Sequence, residues 1–194
     1  MIARHWAQCV LSVLCIVLAG TAWIGFQNLI PLPAVAGLVD ARIDKTRQNY
    51  SMILSMRDAG THGHALVTWV GGQNASELQT FSFGYYARDI RSIIEVFDSD
   101  GTVSNELLRP INSEGQTRFS LVFWVDAAQW NETRALVDNW RGKGRYQLFQ
   151  RDCVTFVTEI VSPLRLTVPS RLLYPTPRQF VSALLEFNSA KPDH

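Results

Sequence analysis

The sequence has almost no charge bias, no internal repeat and no low-complexity segment. Its 194 residues include 18 basic and 17 acidic side chains, which gives a net charge of +1. A nucleic-acid-binding domain would carry a basic stripe or patch, and none is visible along the chain, so we expect no nucleic-acid partner. The length and the hydrophobic fraction of 47% are typical of one globular domain with an additional segment.

The beginning of the chain lacks charged side chains. Between Arg4 and Asp40 there is no Asp, Glu, Lys or Arg, and residues 9–26 form an almost purely apolar run of 18 residues. A run of this length is about the minimum for a membrane-spanning helix. A cleavable signal peptide that ends before Trp23 fits the same run, so an anchor and a signal peptide both stay open.

The residues that follow the apolar run are typical of a stalk, because Pro31 and Pro33 interrupt any continuing helix. We therefore predict a signal peptide or transmembrane anchor with a Pro-containing stalk over residues 1–39, and a folded domain over residues 40–194. Either leader sends the domain out of the cytoplasm, as a single-pass membrane protein or as a periplasmic or secreted one. Three basic residues between positions 42 and 47 oppose this orientation under the positive-inside rule.

The folded part contains a single cysteine. Cys9 and Cys15 belong to the apolar run, so Cys153 has no disulfide partner within the domain. Two histidines lie near the chain ends, which leaves His62 and His64 as candidate partners for the thiol. A structural zinc site typically has four ligands, and these residues supply too few, so we expect no metal and no cofactor. A buried, inert thiol is the ordinary alternative to a nucleophile.

Apolar alternation, turn residues and helix caps predict an α+β domain. Strands are expected over residues 50–56, 64–70, 78–86 and 117–125, a turn over 98–101, and a short extended piece over 146–149. Helices are expected after the N-caps Asp126 and Asp152, and over residues 175–187. Cys153 then lies in the first turn of a helix, and His64 begins a strand.

This placement of the thiol and the imidazole suggests acyl-transfer chemistry. The partial positive charge at a helix N-terminus favours the thiolate of Cys153. A thiolate and an imidazole within hydrogen-bond reach form an activated pair, and backbone N–H groups at the helix start could stabilise an oxyanion. The negative charge of Asp152 beside the thiol opposes its ionisation.

Three stretches resemble circularly permuted papain-like hydrolases, which relate to NlpC-type peptidoglycan peptidases and to the lecithin retinol acyltransferase group. They are GHALVTW (63–69), FGYY (83–86) and YQLFQRDCVTFV (146–157), and the resemblance extends over roughly residues 47–187. It implies a small antiparallel sheet packed against the helix that carries the cysteine, here with an N-terminal apolar helix added. Many members of the group carry Asn before the Cys, where this chain has Asp152.

The resemblance also implies a polar residue on the neighbouring strand that orients the imidazole, about a dozen residues after the histidine. Ser76, Glu77 and Gln79 fall in that window. Gln79 is in phase with Phe81 and Phe83, on the face expected to meet the cysteine helix. Glu77 shares this phase if the strand begins early, so both stay open.

We therefore predict an exported cysteine hydrolase, an amidase or peptidase, in which Cys153 attacks a carbonyl and His64 moves the proton. His64 matches the family position, whereas His62 precedes the strand. Gln79 or Glu77 would hold the imidazole tautomer. The expected partners are a peptide or amide substrate, with peptidoglycan favoured by export, and the membrane through the N-terminal segment. Two alternatives stay open: a non-catalytic module that binds an envelope component, and a lipid acyltransferase at the membrane surface.

Overall fold

The structure is a computed structural model, and it describes residues 35–44, 50–57, 63–72, 77–88, 97–108 and 117–189. The chain divides into two compact units, residues 1–32 and 33–194, and every described residue belongs to the second. The predicted N-terminal apolar helix lies outside the described residues. Within the described ranges, no helix is both long enough and apolar enough to cross a membrane.

The described residues form a seven-stranded sheet and three α-helices, so the prediction of an α+β fold is confirmed. The strands are β1 (Val35–Asp40), β2 (Tyr50–Arg57), β3 (His64–Gly71), β4 (Gln79–Ala87), β5 (Ser99–Asn105), β6 (Thr117–Val125) and β7 (Arg145–Tyr146). Their order across the sheet is β1-β6-β2-β3-β4-β5-β7. The expectation of a small antiparallel sheet is wrong, since the sheet has seven strands and β1 runs parallel to β6.

Three helices pack on the same side of this sheet. They are α1 (Ala127–Arg141), α2 (Cys153–Val161) and α3 (Pro177–Asn188). Each begins at a side chain that accepts hydrogen bonds from first-turn backbone N–H groups, namely Asp126, Asp152 and Thr176. The predicted N-caps at Asp126 and Asp152 are therefore confirmed.

The first strand, β1, overlaps the range predicted to be a stalk. β1 lies mostly inside the range predicted to be a stalk, and its backbone pairs with β6 from Val35 beside Phe119 to Asp40 beside Trp124. Gly37 packs closely under α3, where an ideal Cβ would lie 2.3 Å from Cδ1 of Leu185. The sheet therefore includes residues before position 40. The predicted turn at 98–101 is also wrong, because β5 begins at Ser99 and pairs with β4 and β7.

Strand alternation gives the sheet a helix-covered face and an outer face. On the helix-covered face, the indole N–H of Trp69 donates to Thr133 of α1 at 2.9 Å, and the ring of Tyr85 lies 4.7 Å from that of Trp140. On the outer face, the hydroxyls of Thr68 and Ser82 are hydrogen-bonded at 2.7 Å. The main apolar core fills the space between the helices and the helix-covered face.

Candidate functional site

Cys153 is the first residue of α2, as the sequence predicts. The N-cap carboxylate of Asp152 accepts hydrogen bonds from the backbone N–H groups of Val154, at 3.1 Å, and Thr155, at 2.9 Å. Most residues of α2 are apolar and buried, so its first turn is held against the sheet. As a result, Cys153 is only 5% exposed. It reaches β3 beside Ala65, the residue that follows His64.

The thiol is held in its protonated form. Burial, followed by the negative charge of Asp152, raises the pKa of Cys153 to about 12. The backbone N–H of Ala65 and the guanidinium of Arg171 act in the opposite direction and do not compensate. The sequence-based expectation of a favoured thiolate is wrong for this arrangement, because the desolvation of the thiol outweighs the partial charge of the helix.

A cover loop, Val168–Pro175, lies against the first turn of α2. Its Arg171 forms an ion pair with Asp152 and donates a second hydrogen bond to the carbonyl of Pro175. The guanidinium carbon lies 5.5 Å from the ring centroid of Phe149, whose backbone N–H donates to Asp152 at 2.8 Å. The side chain of Asp152 is 1% exposed and that of Arg171 is 22% exposed, so the pair is largely shielded from solvent.

His64 is buried at the first position of β3, directly after Gly63, whose φ of 73° favours glycine. Its ring stacks on that of Tyr86, with a centroid distance of 3.8 Å and an interplanar angle of 24°. The ring fits because residue 84 is glycine: an ideal Cβ on Gly84 would lie 2.5 Å from Nε2 of His64. The sequence therefore makes room for the imidazole with a small residue on the neighbouring strand.

Glu106 also borders this space. The same Cβ position on Gly84 lies 3.0 Å from Oε1 of Glu106, so this carboxylate oxygen and Nε2 of His64 border the same space above the glycine. The other oxygen of Glu106 accepts a hydrogen bond from Arg57 at 3.0 Å, and the Glu106 side chain is 1% exposed. A carboxylate in this position can orient the imidazole. Local sequence pattern does not indicate Glu106, because this residue follows β5 in a poorly patterned segment.

The structure brings Cys153 and the backbone of residues 64 and 65 together, but it directs the two side chains differently. Neighbouring residues of a strand point to opposite faces of the sheet. Ala65 and Tyr85 point to the helix-covered face, so His64 and Tyr86 point to the outer face. Cys153 approaches β3 from the helix-covered face. The sulfur and the imidazole therefore meet the same end of β3 from opposite sides.

Glu77 and Gln79 are not near the imidazole. Gln79 pairs with Gly71, at the other end of β3 from His64, and a strand of this length spans about 23 Å. Both side chains are exposed and line a cavity of about 500 Å³ with Tyr50 and Trp130. The prediction that one of them orients His64 does not fit this placement, because the hairpin register brings Gly84 rather than Gln79 toward the histidine. His62 and Ser76 lie outside the described residues.

Comparisons with known proteins add no further assignment. The described His, Cys, Asp and Glu residues form no group of three or more that could hold a metal ion. The resemblance to permuted papain-like hydrolases depends on the quoted sequence stretches alone. No protein-family model, no curated protein and no solved structure matches this chain.

Proposed function

We propose that the domain is a cysteine hydrolase of the permuted papain-like type, an amidase or peptidase. In the described arrangement its thiol is protonated and buried. The observation that carries this proposal is the position of Cys153: it begins a buried helix and contacts β3 beside Ala65, directly after His64. Residues 64 and 153 are remote in the chain, and the fold brings them to one end of one strand.

The proposed reaction transfers an acyl group to the sulfur and then to water. The imidazole of His64 takes the thiol proton as Sγ of Cys153 bonds to the carbonyl carbon of an amide. The C–N bond breaks, the amine leaves with the proton from the imidazolium, and a thioester remains. Water then attacks the thioester with His64 as base. The carboxylic acid is released, and the proton returns to the sulfur.

Glu106 is proposed as the residue that orients the imidazole. Its Oε1 and Nε2 of the ring both border the space above Gly84, so a hydrogen bond from Nε2 to this oxygen would leave Nδ1 as the base. Arg57 fixes the carboxylate from the other oxygen. This role was expected of Gln79 or Glu77, and Glu106 is much closer to the ring than Gln79.

Activity requires two changes from the described arrangement. The thiol must gain access to solvent and substrate, because it is only 5% exposed. The imidazole must also leave Tyr86 and reach the face of β3 that Cys153 contacts. Because we expect the domain to be exported, we propose a cell-wall peptide as its substrate.

The second candidate function is a non-catalytic module that binds an envelope component. The raised pKa of Cys153 and the outer-face position of His64 favour it, because an inert thiol requires neither access nor a base. A lipid acyltransferase would use the same nucleophile and differ from the hydrolase in the group that accepts the acyl chain.

Thiol labelling separates the enzyme from the binding module. The full chain with Cys9→Ser and Cys15→Ser is treated with iodoacetamide near neutral pH, and modification of Cys153 is followed by intact mass. If the domain is a hydrolase, the rate of Cys153 labelling should fall severalfold in His64→Ala and in Glu106→Gln. Glu77→Gln is the matched control and should label like the parent. Equally slow labelling in all four proteins would refute the hydrolase, provided that circular dichroism shows each variant folded.

A further inference from the structure

We propose that an extended peptide with an acidic side chain binds as an added strand along the open edge of β4, with its carboxylate paired with Arg134. This surface consists of residues 79–82 of β4 and the adjoining side of α1, and we call it the edge groove. The proposal goes beyond the hydrolase, because the edge groove contains neither Cys153 nor His64 and requires no chemistry at the thiol.

β4 extends beyond the strand that covers its edge. β5 pairs with β4 only over residues 83–87. The side chain of Asn105, at the end of β5, accepts a hydrogen bond from the backbone N–H of Leu107 at 3.1 Å, and the chain leaves the sheet in a short 3-10 helix. Among the described strands, residues 79–82 therefore have β3 on one side and no neighbour on the other. Alternate residues of a strand direct their N–H and C=O groups to opposite sides, so two of these four residues offer backbone groups to an added strand.

The open segment lacks the features that usually protect a strand edge. Exposed edges commonly carry a charged side chain, a proline or a bulge, which prevents pairing with another chain. Residues 79–82 are Gln, Thr, Phe and Ser, and their register with β3 is regular. This segment is therefore suited to pairing with an extended peptide, in the manner of other domains that bind peptides at a sheet edge.

A cavity of about 300 Å³ lies beside the open segment, on the helix-covered face. Its described lining comes from β4 and α1, and includes Phe81, Phe83, Asn131, Arg134, Asp138 and Arg141. On the β3 side, α1 is held against the sheet by the 2.9 Å hydrogen bond from Trp69 to Thr133. The cavity therefore opens away from β3, where an added strand would lie. Alternate side chains of that strand would point into it, above the two phenyl rings.

Arg134 brings a cation without an acidic partner to this cavity. Its guanidinium carbon lies 4.5 Å from the ring centroid of Phe81 and 4.8 Å from that of Trp130. Stacking on these rings fixes the plane of the guanidinium and leaves its N–H groups at the rim. Arg141 is paired with Asp138 at 2.6 Å, whereas no carboxylate among the described residues pairs with Arg134. A carboxylate can accept two parallel hydrogen bonds from such a group, so an acidic side chain is the expected anchor of the peptide.

Selection of displayed peptides tests the binding. Random octapeptides on phage are selected on the immobilised full chain, and synthetic representatives are measured by fluorescence anisotropy. We expect the enriched sequences to share one Asp or Glu, with β-branched or aromatic residues two positions away. Arg134→Gln should weaken their binding about tenfold, because the charge-assisted hydrogen bonds are lost. Arg88→Gln is the matched control, since Arg88 is exposed directly after the paired half of β4, and it should bind like the parent.

A scan of N-methyl groups along the peptide tests the mode of binding. Each methyl group removes one backbone N–H, and in an added strand only alternate N–H groups face β4. The affinity for the parent chain should therefore fall at every second position and stay unchanged between them. An even scan, enriched peptides without a shared acidic residue, equal binding by Arg134→Gln, or no enriched sequence at all would overturn the proposal. Dimerisation of the chain that Arg134→Gln abolishes would also overturn it, because a second copy would then occupy the edge groove.

Discussion

The buried thiol should make the stability of the domain depend on pH in a direction that can be calculated. The pKa of Cys153 is raised to about 12 in the folded protein, from an ordinary value of 9.0. Below about pH 9 the thiol is protonated in both states and contributes no pH dependence. As the pH rises further, the unfolded chain loses this proton first, so the folded state becomes less stable. The full shift corresponds to about 4 kcal/mol, of which about 1 kcal/mol is lost by pH 10.

Urea unfolding of the parent and of Cys153→Ala, at about pH 8 and about pH 10 under reducing conditions, measures this contribution. Other titrating groups, including the buried Tyr146 phenol, remain in both proteins. The free energy of unfolding of the parent should therefore fall by about 1 kcal/mol more than that of the variant. Parallel losses would show that the thiol is not desolvated. A smaller loss in the parent would indicate a depressed pKa, and hence a thiolate already paired with a cation.

Two further substitutions probe the surroundings of the two candidate residues. Gly84→Ala should cost about 1–3 kcal/mol of unfolding free energy, because its Cβ would lie 2.5 Å from Nε2 of His64, whereas Gly142→Ala meets nothing within 4 Å and is the matched control. Equal urea midpoints for these two variants would contradict the described ring position. Asp152→Asn should cost about 1–3 kcal/mol, because one amide oxygen cannot serve the backbone N–H of Phe149, Arg171 and the helix start together. An unchanged thermal midpoint would show that these contacts are not formed.

The sequence predicted most of the secondary structure because that information is local. Alternating apolar residues marked β3 and β4, and Asp126 and Asp152 marked the starts of α1 and α2. β1 was missed because it pairs with β6, about eighty residues away, and a short apolar segment near prolines gives no sign of such a partner. β5 was missed because its polar sequence is typical of a turn.

The sequence predicted where Cys153 lies, but it did not predict the surroundings of the thiol and the imidazole. The position of Cys153 followed from a cap and a helix pattern, and the structure confirms it. The residue that would orient the imidazole depends on hairpin register, which local pattern does not fix, so the sequence left Gln79 and Glu77 open and did not indicate Glu106. The protonation of the thiol depended on desolvation, which is a property of the packed domain.

The carboxylate of Asp152 binds several groups at once, so a substitution at one of them affects the others. One of its oxygens serves the start of α2, and the other serves both Phe149 and Arg171. An Asn at this position would offer only one acceptor oxygen and would turn its amino group toward those donors. Replacement of Asp152 alone would leave the guanidinium of Arg171 without its carboxylate. Replacement of Arg171 alone would leave the shielded carboxylate of Asp152 without its cation. We therefore expect the two to be replaceable only as a pair.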